Sequence, residues 1–146
     1  MTHQQLRSDL TFTSLEDILA DAEALDGGTI ETAGDWTEAQ ILDHVTRVIH
    51  GSRTGFQFTV PWFLRLVGRM IKGRTVHSRM KSGFKIPRGA TVFQPDPDID
   101  WATALDALRE EVRLSSPPGS MTKTSPLFGE MSHEDWLGLH CRHAEL

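Results

Sequence analysis

The sequence predicts an all-α fold, a four-helix bundle with a long crossover between the second and third principal helices. Apolar residues recur at intervals of three and four in four segments, and each segment follows a residue suited to helix capping. No run of apolar residues approaches the roughly 20 that a membrane-spanning helix needs. The length of 146 residues suits a single hydrophobic core, so we expect one domain over residues 1–146.

Capping motifs set the expected helix starts, because a side chain that accepts from the first free N–H groups stabilises a helix end. The expected capping residues are Thr13 with Glu16, Thr37 with Gln40, Asp100, and Ser132 with Asp135. The expected helices span residues 14–25, 38–50, 101–114 and from 133 onward. The second helix is expected to stop near Gly51.

The crossover is expected to contain a short extra helix over residues 61–72, with Pro61 in its first turn. Phe63, Leu66, Val67 and Met70 form one apolar stripe, which we expect to face the bundle. Residues 73–99 are expected to be irregular, with a short extended piece at residues 92–93. A connection of this length in a small domain commonly has a functional or covering role.

Basic residues are concentrated in the middle of an acidic chain. The net charge is -5, yet no Asp or Glu lies between Asp43 and Asp96, and ten of the 15 Lys and Arg residues lie there. The interpretation that we favour is pairing with the acidic helices; the other is attraction of an anionic ligand. Residues 61–88 also suit a non-catalytic binding module at a membrane surface. Nucleic acid is a less favoured partner for this segment.

Three histidines lie where a bundle could use them. His44 comes three residues after Ile41 and four before Val48, within the apolar stripe of the second helix, and His140 and His143 are one turn apart on the last helix. Neutral imidazoles from facing helices bind zinc, nickel or iron at about 2 Å. The alternative is that these histidines are hydrogen-bonded core residues.

Two segments resemble motifs of the DinB-like metalloenzyme superfamily. The segment GDWTEAQILDHV, residues 34–45, resembles its G-x-W-[ST]-x-x-Q-[IL]-x-x-H-[LV] signature. The segment SPLFGEMSHEDWLGLHCRHAEL, residues 125–146, resembles its ending, H-P-x-F-G followed by a helix with spaced histidines. The most similar branch consists of small proteins described as a domain of unknown function. Residues 60–100 match loosely.

The resemblance implies a divalent metal ion held by three histidines. His44 and His143 match two of them, and the third would lie four residues after His143, beyond Leu146. The pattern of the last helix also reaches Leu146 with no glycine, asparagine or proline to stop it, so we expect that the natural chain continues or that this is a truncated form. His140 matches a further family histidine and could replace the third ligand. Ser125 stands where the family has the histidine of H-P-x-F-G.

The resemblance also implies a thiol-transferase-like or hydrolytic enzyme, in which the metal acts as a Lewis acid on a low-molecular-weight thiol or on water. Such a cofactor carries carboxylates, and we expect the guanidinium groups of the acid-free region to bind them. These are Arg65, Arg69, Arg74 and Arg79. The expected partner is a small-molecule substrate or a thiol cofactor. Formation of a homodimer is an alternative that the sequence leaves open. One cysteine and no apolar signal region favour a cytoplasmic protein.

Overall fold

A computed structural model describes residues 10–25, 34–80 and 90–146 of the chain. Within these ranges it contains five α-helices, one 3-10 turn and no strand, so the expected all-helical bundle is confirmed. The α-helices are α1 (Leu15–Ala24), α2 (Glu38–Thr54), α3 (Trp62–His77), α4 (Trp101–Ser115) and α5 (His133–Ala144), and the 3-10 turn is Thr91–Phe93. The predicted extended piece at residues 92–93 is therefore wrong.

Three of the helices begin at the capping residues that the sequence predicted. The side chain of Thr37 accepts from the backbone N–H of Gln40, and the Gln40 side chain accepts from the N–H of Thr37 in return. Ser132 and Asp135 form the same reciprocal pair at α5. Asp100 caps α4 by accepting from a backbone N–H in its first turn. Each pair satisfies N–H groups that the helix itself leaves free.

The start of α1 differs by one residue from the prediction. The hydroxyl of Ser14 caps the helix by accepting from the N–H of Asp17 at 3.1 Å. Asp17 in turn accepts from both the N–H and the hydroxyl of Thr13 at 2.9 Å. The predicted box of Thr13 with Glu16 is therefore wrong, because the next residue pair along the chain has equivalent side chains and takes the cap.

Helix α2 continues one turn beyond its predicted end. Gly51 lies inside the helix, where a Cβ atom would overlap the ring of Phe56. Gly55 ends the helix with φ of 105°, a left-handed value that other residues rarely adopt. Gly51 is thus a packing contact for an aromatic ring and not a stop signal.

The core lies between α1, α2, α4 and α5. Helix α2 packs along α4, while α1 and α5 close the remaining sides. The apolar side chains that fill the centre are Leu15, Ile18, Leu42, Ile49, Leu105, Leu108, Val112, Trp136 and Leu139. These residues follow the predicted helical spacing, and they fix the rotation of α2 and α5 about their axes.

Helix α3 lies against α5 and the turn that precedes it. A Cβ atom on Gly68 would overlap the carbonyl oxygen of Leu127, and one on Gly138 would overlap Val76. The helix reaches His77, so residues 73–77 are helical and not irregular as predicted. The predicted burial of the stripe of Phe63, Leu66, Val67 and Met70 is also wrong. All four side chains are exposed, because the glycine side of the helix faces the bundle.

Within the described ranges, none of the helices combines the length and apolar character needed to cross a membrane. Cys141 is the one cysteine of the chain, and it is buried in α5. A disulfide within the chain therefore cannot form.

Gly68→Ala is expected to lower the free energy of unfolding by roughly 1–3 kcal/mol, since the added methyl group overlaps a backbone carbonyl. The usual effect of this change inside a helix is a gain of about 1 kcal/mol. Gly73→Ala provides the matched control, because nothing lies within 4 Å of its added methyl group. Urea unfolding of both variants checks the sign; a gain for Gly68→Ala would mean that α3 does not approach this closely.

Candidate histidine site between α2 and α5

His44 of α2 and His143 of α5 meet at one side of the bundle. Their Nε2 atoms are 3.2 Å apart and their ring centroids 5.0 Å apart. Both side chains are half-buried. The apolar stripes of the two helices turn them toward each other, so the residues from the second and last helices converge.

A backbone carbonyl orients the His44 ring. Its Nδ1 atom lies 2.8 Å from the carbonyl oxygen of Phe93, in the 3-10 turn. A carbonyl can only accept, so Nδ1 carries the proton and donates it, which leaves the lone pair of neutral His44 on Nε2. Trp36 covers the ring from another side, with centroids 5.0 Å apart. The lone pair of His44 therefore points toward His143.

Both imidazoles are neutral at pH 7. Burial lowers the pKa of His44, although the hydrogen bond to Phe93 and the charge of Asp43 raise it in part. Burial also lowers the pKa of His143 to about 4, with the neighbouring His44 as the second cause. The neutral ring is the form that binds metal ions, so neither histidine has to lose a stabilised proton first.

The spacing of the two Nε2 atoms fits two ligands of one metal ion. Two nitrogen atoms that bind zinc at 2.0–2.1 Å in tetrahedral geometry lie about 3.3 Å apart. The observed 3.2 Å agrees with that value. It also suits a hydrogen bond from an Nε2–H of His143 to the lone pair of His44 in the metal-free chain. A single proton or a metal ion can therefore occupy the space between the rings.

His140 does not join this pair. The hydroxyl of Ser52 donates to the carbonyl of Ile49, so its oxygen accepts from Nε2–H of His140 at 2.9 Å. The imidazole also stacks on Trp136, with centroids 5.5 Å apart and planes 15° apart. The other ring nitrogen, Nδ1, is buried and has no hydrogen-bond partner among the residues that the structure describes. His140 is thus a core residue that links α5 to α2.

Among the residues that the structure describes, no three His, Cys, Asp or Glu side chains form a group that could hold a metal ion. The described part of the chain therefore offers two histidine ligands and not three. Metal binding by His44 and His143 stays a prediction, and so does any part of His140 in it.

Cys141 does not provide a nucleophile. Burial raises the pKa of its thiol to about 11, and the charge of Arg142 offsets this only in part. The thiol therefore stays protonated and unreactive at neutral pH.

The four arginines predicted to bind an anion lie on and just after α3, and all four are exposed. Arg79 donates to the carbonyl of Leu10 at 3.0 Å. Within the described ranges, the side chains of Arg65, Arg69 and Arg74 make no hydrogen bond or ion pair. None of the described contacts of the histidine pair involves these three arginines, and their binding of a carboxylate cofactor stays a prediction.

The favoured interpretation of the basic region, pairing with acidic helices, is correct for some of its cations. The Nζ atom of Lys72 lies 3.0 Å from Oδ2 of Asp135. The Nε atom of Arg53 lies 3.0 Å from Oε1 of the buried Glu111. The guanidinium groups of Arg65, Arg69 and Arg74 are exposed and accessible to an external anion.

Ser125 stabilises a turn. Its hydroxyl accepts from the N–H groups of Leu127 and Phe128, at 3.2 and 3.0 Å. Its backbone pairs in both directions with Gly129, whose φ of 79° suits glycine. Ser125 thus stabilises the turn that packs against α3 at Gly68.

Two residues of the site were not among the predicted ones. Trp36 belongs to the segment that resembles the DinB-like signature, so its place in that motif was a signal that could have found it. Phe93 acts through its carbonyl group, which no side-chain pattern reveals.

The fold and the site define the class of protein. It is an all-helical bundle with a pair of neutral histidines between its second and last helices. The chain belongs to the family described as protein of unknown function (DUF1569), whose family model matches residues 4–146. The expectation of a family of unknown function is thereby confirmed, while membership of the wider DinB-like superfamily stays a prediction. No curated protein and no solved structure matches the chain.

Proposed function

We propose that the chain binds a divalent metal ion through His44 and His143 and acts as a metal-dependent enzyme of thiol-transferase-like or hydrolytic type. The observation that carries the proposal is the 3.2 Å distance between the Nε2 atoms of these two neutral imidazole rings. The resemblance to the DinB-like motifs supports it, because His44 and His143 stand at two positions where those motifs have metal ligands.

The bound metal would supply Lewis acidity, which lowers the pKa of a coordinated thiol or water. The residues of the chain would hold the metal ion and orient the histidine rings that bind it. Phe93 fixes the tautomer of His44 through its carbonyl, as outer partners of metal ligands commonly do. Trp36 shields the ring of His44 from water on one side. With two protein nitrogens, coordination positions stay open for a substrate.

His140 is a positioning residue in this proposal. Its bond to Ser52 joins α5 to α2 one turn before His143. Because Ser52 and His140 are both fully buried, this bond fixes the separation of the two helices next to the histidine pair.

Metal titration of the untagged chain tests the proposal. We expect one Co²⁺ or Zn²⁺ ion per chain by calorimetry, with a cobalt absorption band in the visible range. His44→Ala and His143→Ala are each expected to weaken binding by roughly 100-fold or more, since even outer partners of metal ligands contribute 10- to 100-fold. His77→Ala, which removes an exposed histidine of α3, is the matched control and should bind like the wild type.

Full metal uptake by a folded His44→Ala variant, or none by the wild type, would contradict the metal site. The thiol branch has its own test, which is titration of the cobalt-loaded chain with bacillithiol and with mycothiol. A new thiolate-to-cobalt absorption band supports thiol transfer. Its absence, with cobalt still bound, rejects thiol transfer in favour of the hydrolytic type.

A non-catalytic binding module is the second candidate. The guanidinium groups of Arg65, Arg69 and Arg74 favour it, because they are exposed and have no partner within residues 10–25, 34–80 and 90–146. A chain that keeps its fold but binds neither metal would fit this candidate alone.

A further inference from the structure

Helix α3 presents an apolar face to solvent. Of the ten large hydrophobic side chains that are exposed in the described part of the chain, seven lie between residues 62 and 71. Met70 is 79% exposed and Trp62 is 74% exposed. We define the α3 apolar face as Trp62, Phe63, Leu66, Val67 and Met70. A concentration of this kind is unusual for a surface helix and marks an interaction site.

The direction of this face follows from the packing of the helix. Gly68 and Val76 are its buried residues. At about 100° per residue, Met70 lies about 160° round the helix axis from Gly68. Close approach at the glycine therefore holds the apolar face on the side away from the bundle.

Cations border the α3 apolar face. Arg65 and Arg69 lie one turn apart along one edge, and Arg74 lies one turn beyond Met70, at the C-terminal end of the face. All three are exposed and unpaired in the described part of the chain. Helix α3 contains no acidic residue, and none occurs between Asp43 and Asp96. The surface thus combines apolar side chains at its centre with positive charge along one edge and at its C-terminal end.

A second copy of the chain fits this surface poorly. A two-fold contact between two α3 helices would bring the same arginine edges together with no acidic residue on either helix to neutralise them. Double-stranded nucleic acid would neutralise the arginines but would leave Met70 and Phe63 against a charged backbone. An anionic lipid surface satisfies both features.

We propose that α3 docks on the surface of membranes that contain anionic phospholipid, with its apolar face in the boundary between headgroups and acyl chains. Interfacial helices bury their apolar face about 5–10 Å deep in this way. The arginines at the edges reach the lipid phosphates, since their long side chains extend toward polar groups. This binding is peripheral and is independent of the histidine site.

Sedimentation with vesicles tests this proposal on the full chain. The wild type is expected to bind vesicles of phosphatidylcholine with phosphatidylglycerol, and to bind pure phosphatidylcholine at least about tenfold more weakly. Met70→Glu is expected to weaken binding by about tenfold or more, because it places a charge in the apolar contact. The double change of Arg65→Gln with Arg69→Gln is expected to cost about fivefold per arginine.

Ala102→Glu is the matched control for Met70→Glu, since it adds the same charge at an exposed position of α4. It should retain binding to within about twofold of the wild type. Circular dichroism establishes that each variant is folded. His44→Ala should bind vesicles like the wild type, which separates this proposal from the metal site.

Four results would overturn the proposal. The first is the absence of binding to anionic vesicles, and the second is an equal loss of vesicle binding in Met70→Glu and Ala102→Glu. The third is a stable dimer in sedimentation equilibrium that Met70→Glu dissociates, which assigns the face to a second copy. The fourth is salt-dependent binding to duplex DNA that exceeds binding to the vesicles and requires Arg65 and Arg69.

Discussion

Acidification from pH 7 to pH 5 is expected to lower the free energy of unfolding by about 2 kcal/mol through His140 alone. Burial, together with the charges of His143 and His133, lowers the pKa of the His140 imidazole from 6.5 to about 3. Between these values the folded chain keeps the ring neutral, whereas the unfolded chain binds a proton. Stability from this residue is therefore complete above pH 6.5 and decreases as the pH falls toward 3.

The structural reason lies in the second nitrogen of the ring. Nε2–H already donates to Ser52, so a further proton would have to enter at Nδ1. That atom is buried, and the described part of the chain places no acceptor beside it. Protonation would bury an unpaired N–H with a positive charge, which is costly in a core.

Urea unfolding at pH 7 and at pH 5, followed by tryptophan fluorescence, checks this expectation. His140→Gln keeps a donor for Ser52 but cannot titrate, so its difference in stability between the two pH values should be smaller by about 2 kcal/mol. His77→Gln alters an exposed ring of α3 and should keep the wild-type dependence. If the pH dependence of stability were unchanged in His140→Gln, the imidazole of His140 would not stay neutral in the folded chain.

Trp136→Ala is expected to lower the free energy of unfolding by about 4 kcal/mol, since it leaves a large cavity in the core. Trp136 is only 2% exposed. Its ring packs on Phe56 and stacks on His140, and its indole N–H donates to the carbonyl of Lys123 at 2.8 Å. Because domains of this size have only about 5–15 kcal/mol in total, the variant should be close to unfolding at 37 °C.

Trp62→Ala makes the same change at a side chain that is 74% exposed. Its effect should stay within about 0.5 kcal/mol. Thermal unfolding of the two variants side by side gives the comparison. Similar losses from both would mean that Trp62 is buried in solution, for example in a dimer, and would contradict the packing described for α3.

The helices that the sequence predicted well are those whose signals are local. The caps at Thr37, Asp100 and Ser132 depend on side chains within three residues, and all three were correct. The orientation of α3 depends instead on contacts far along the chain, between Gly68 and Leu127 and between Val76 and Gly138. Periodicity reveals an apolar stripe, but it does not reveal which side of the helix a neighbour will approach.

The same distinction applies to the site. The position of His44 within an apolar stripe placed it at a helix interface, and the motif resemblance selected His143 as its partner. The bond between His140 and Ser52 spans 88 positions and depends on the buried side of two helices, so spacing could not find it. For the same reason spacing suggested that His140 and His143 act together, whereas the helix directs them to different neighbours.

The contact between His44 and His143 joins residues 99 positions apart, which has a consequence for biosynthesis. Helix α2 and helix α4 can associate while translation continues, but the histidine pair requires α5. At ribosomal speeds, His44 is made roughly 5 to 20 seconds before His143. The two imidazole rings can therefore approach each other only after α5 has been made, whereas α1, α2 and α4 are available for packing before that point.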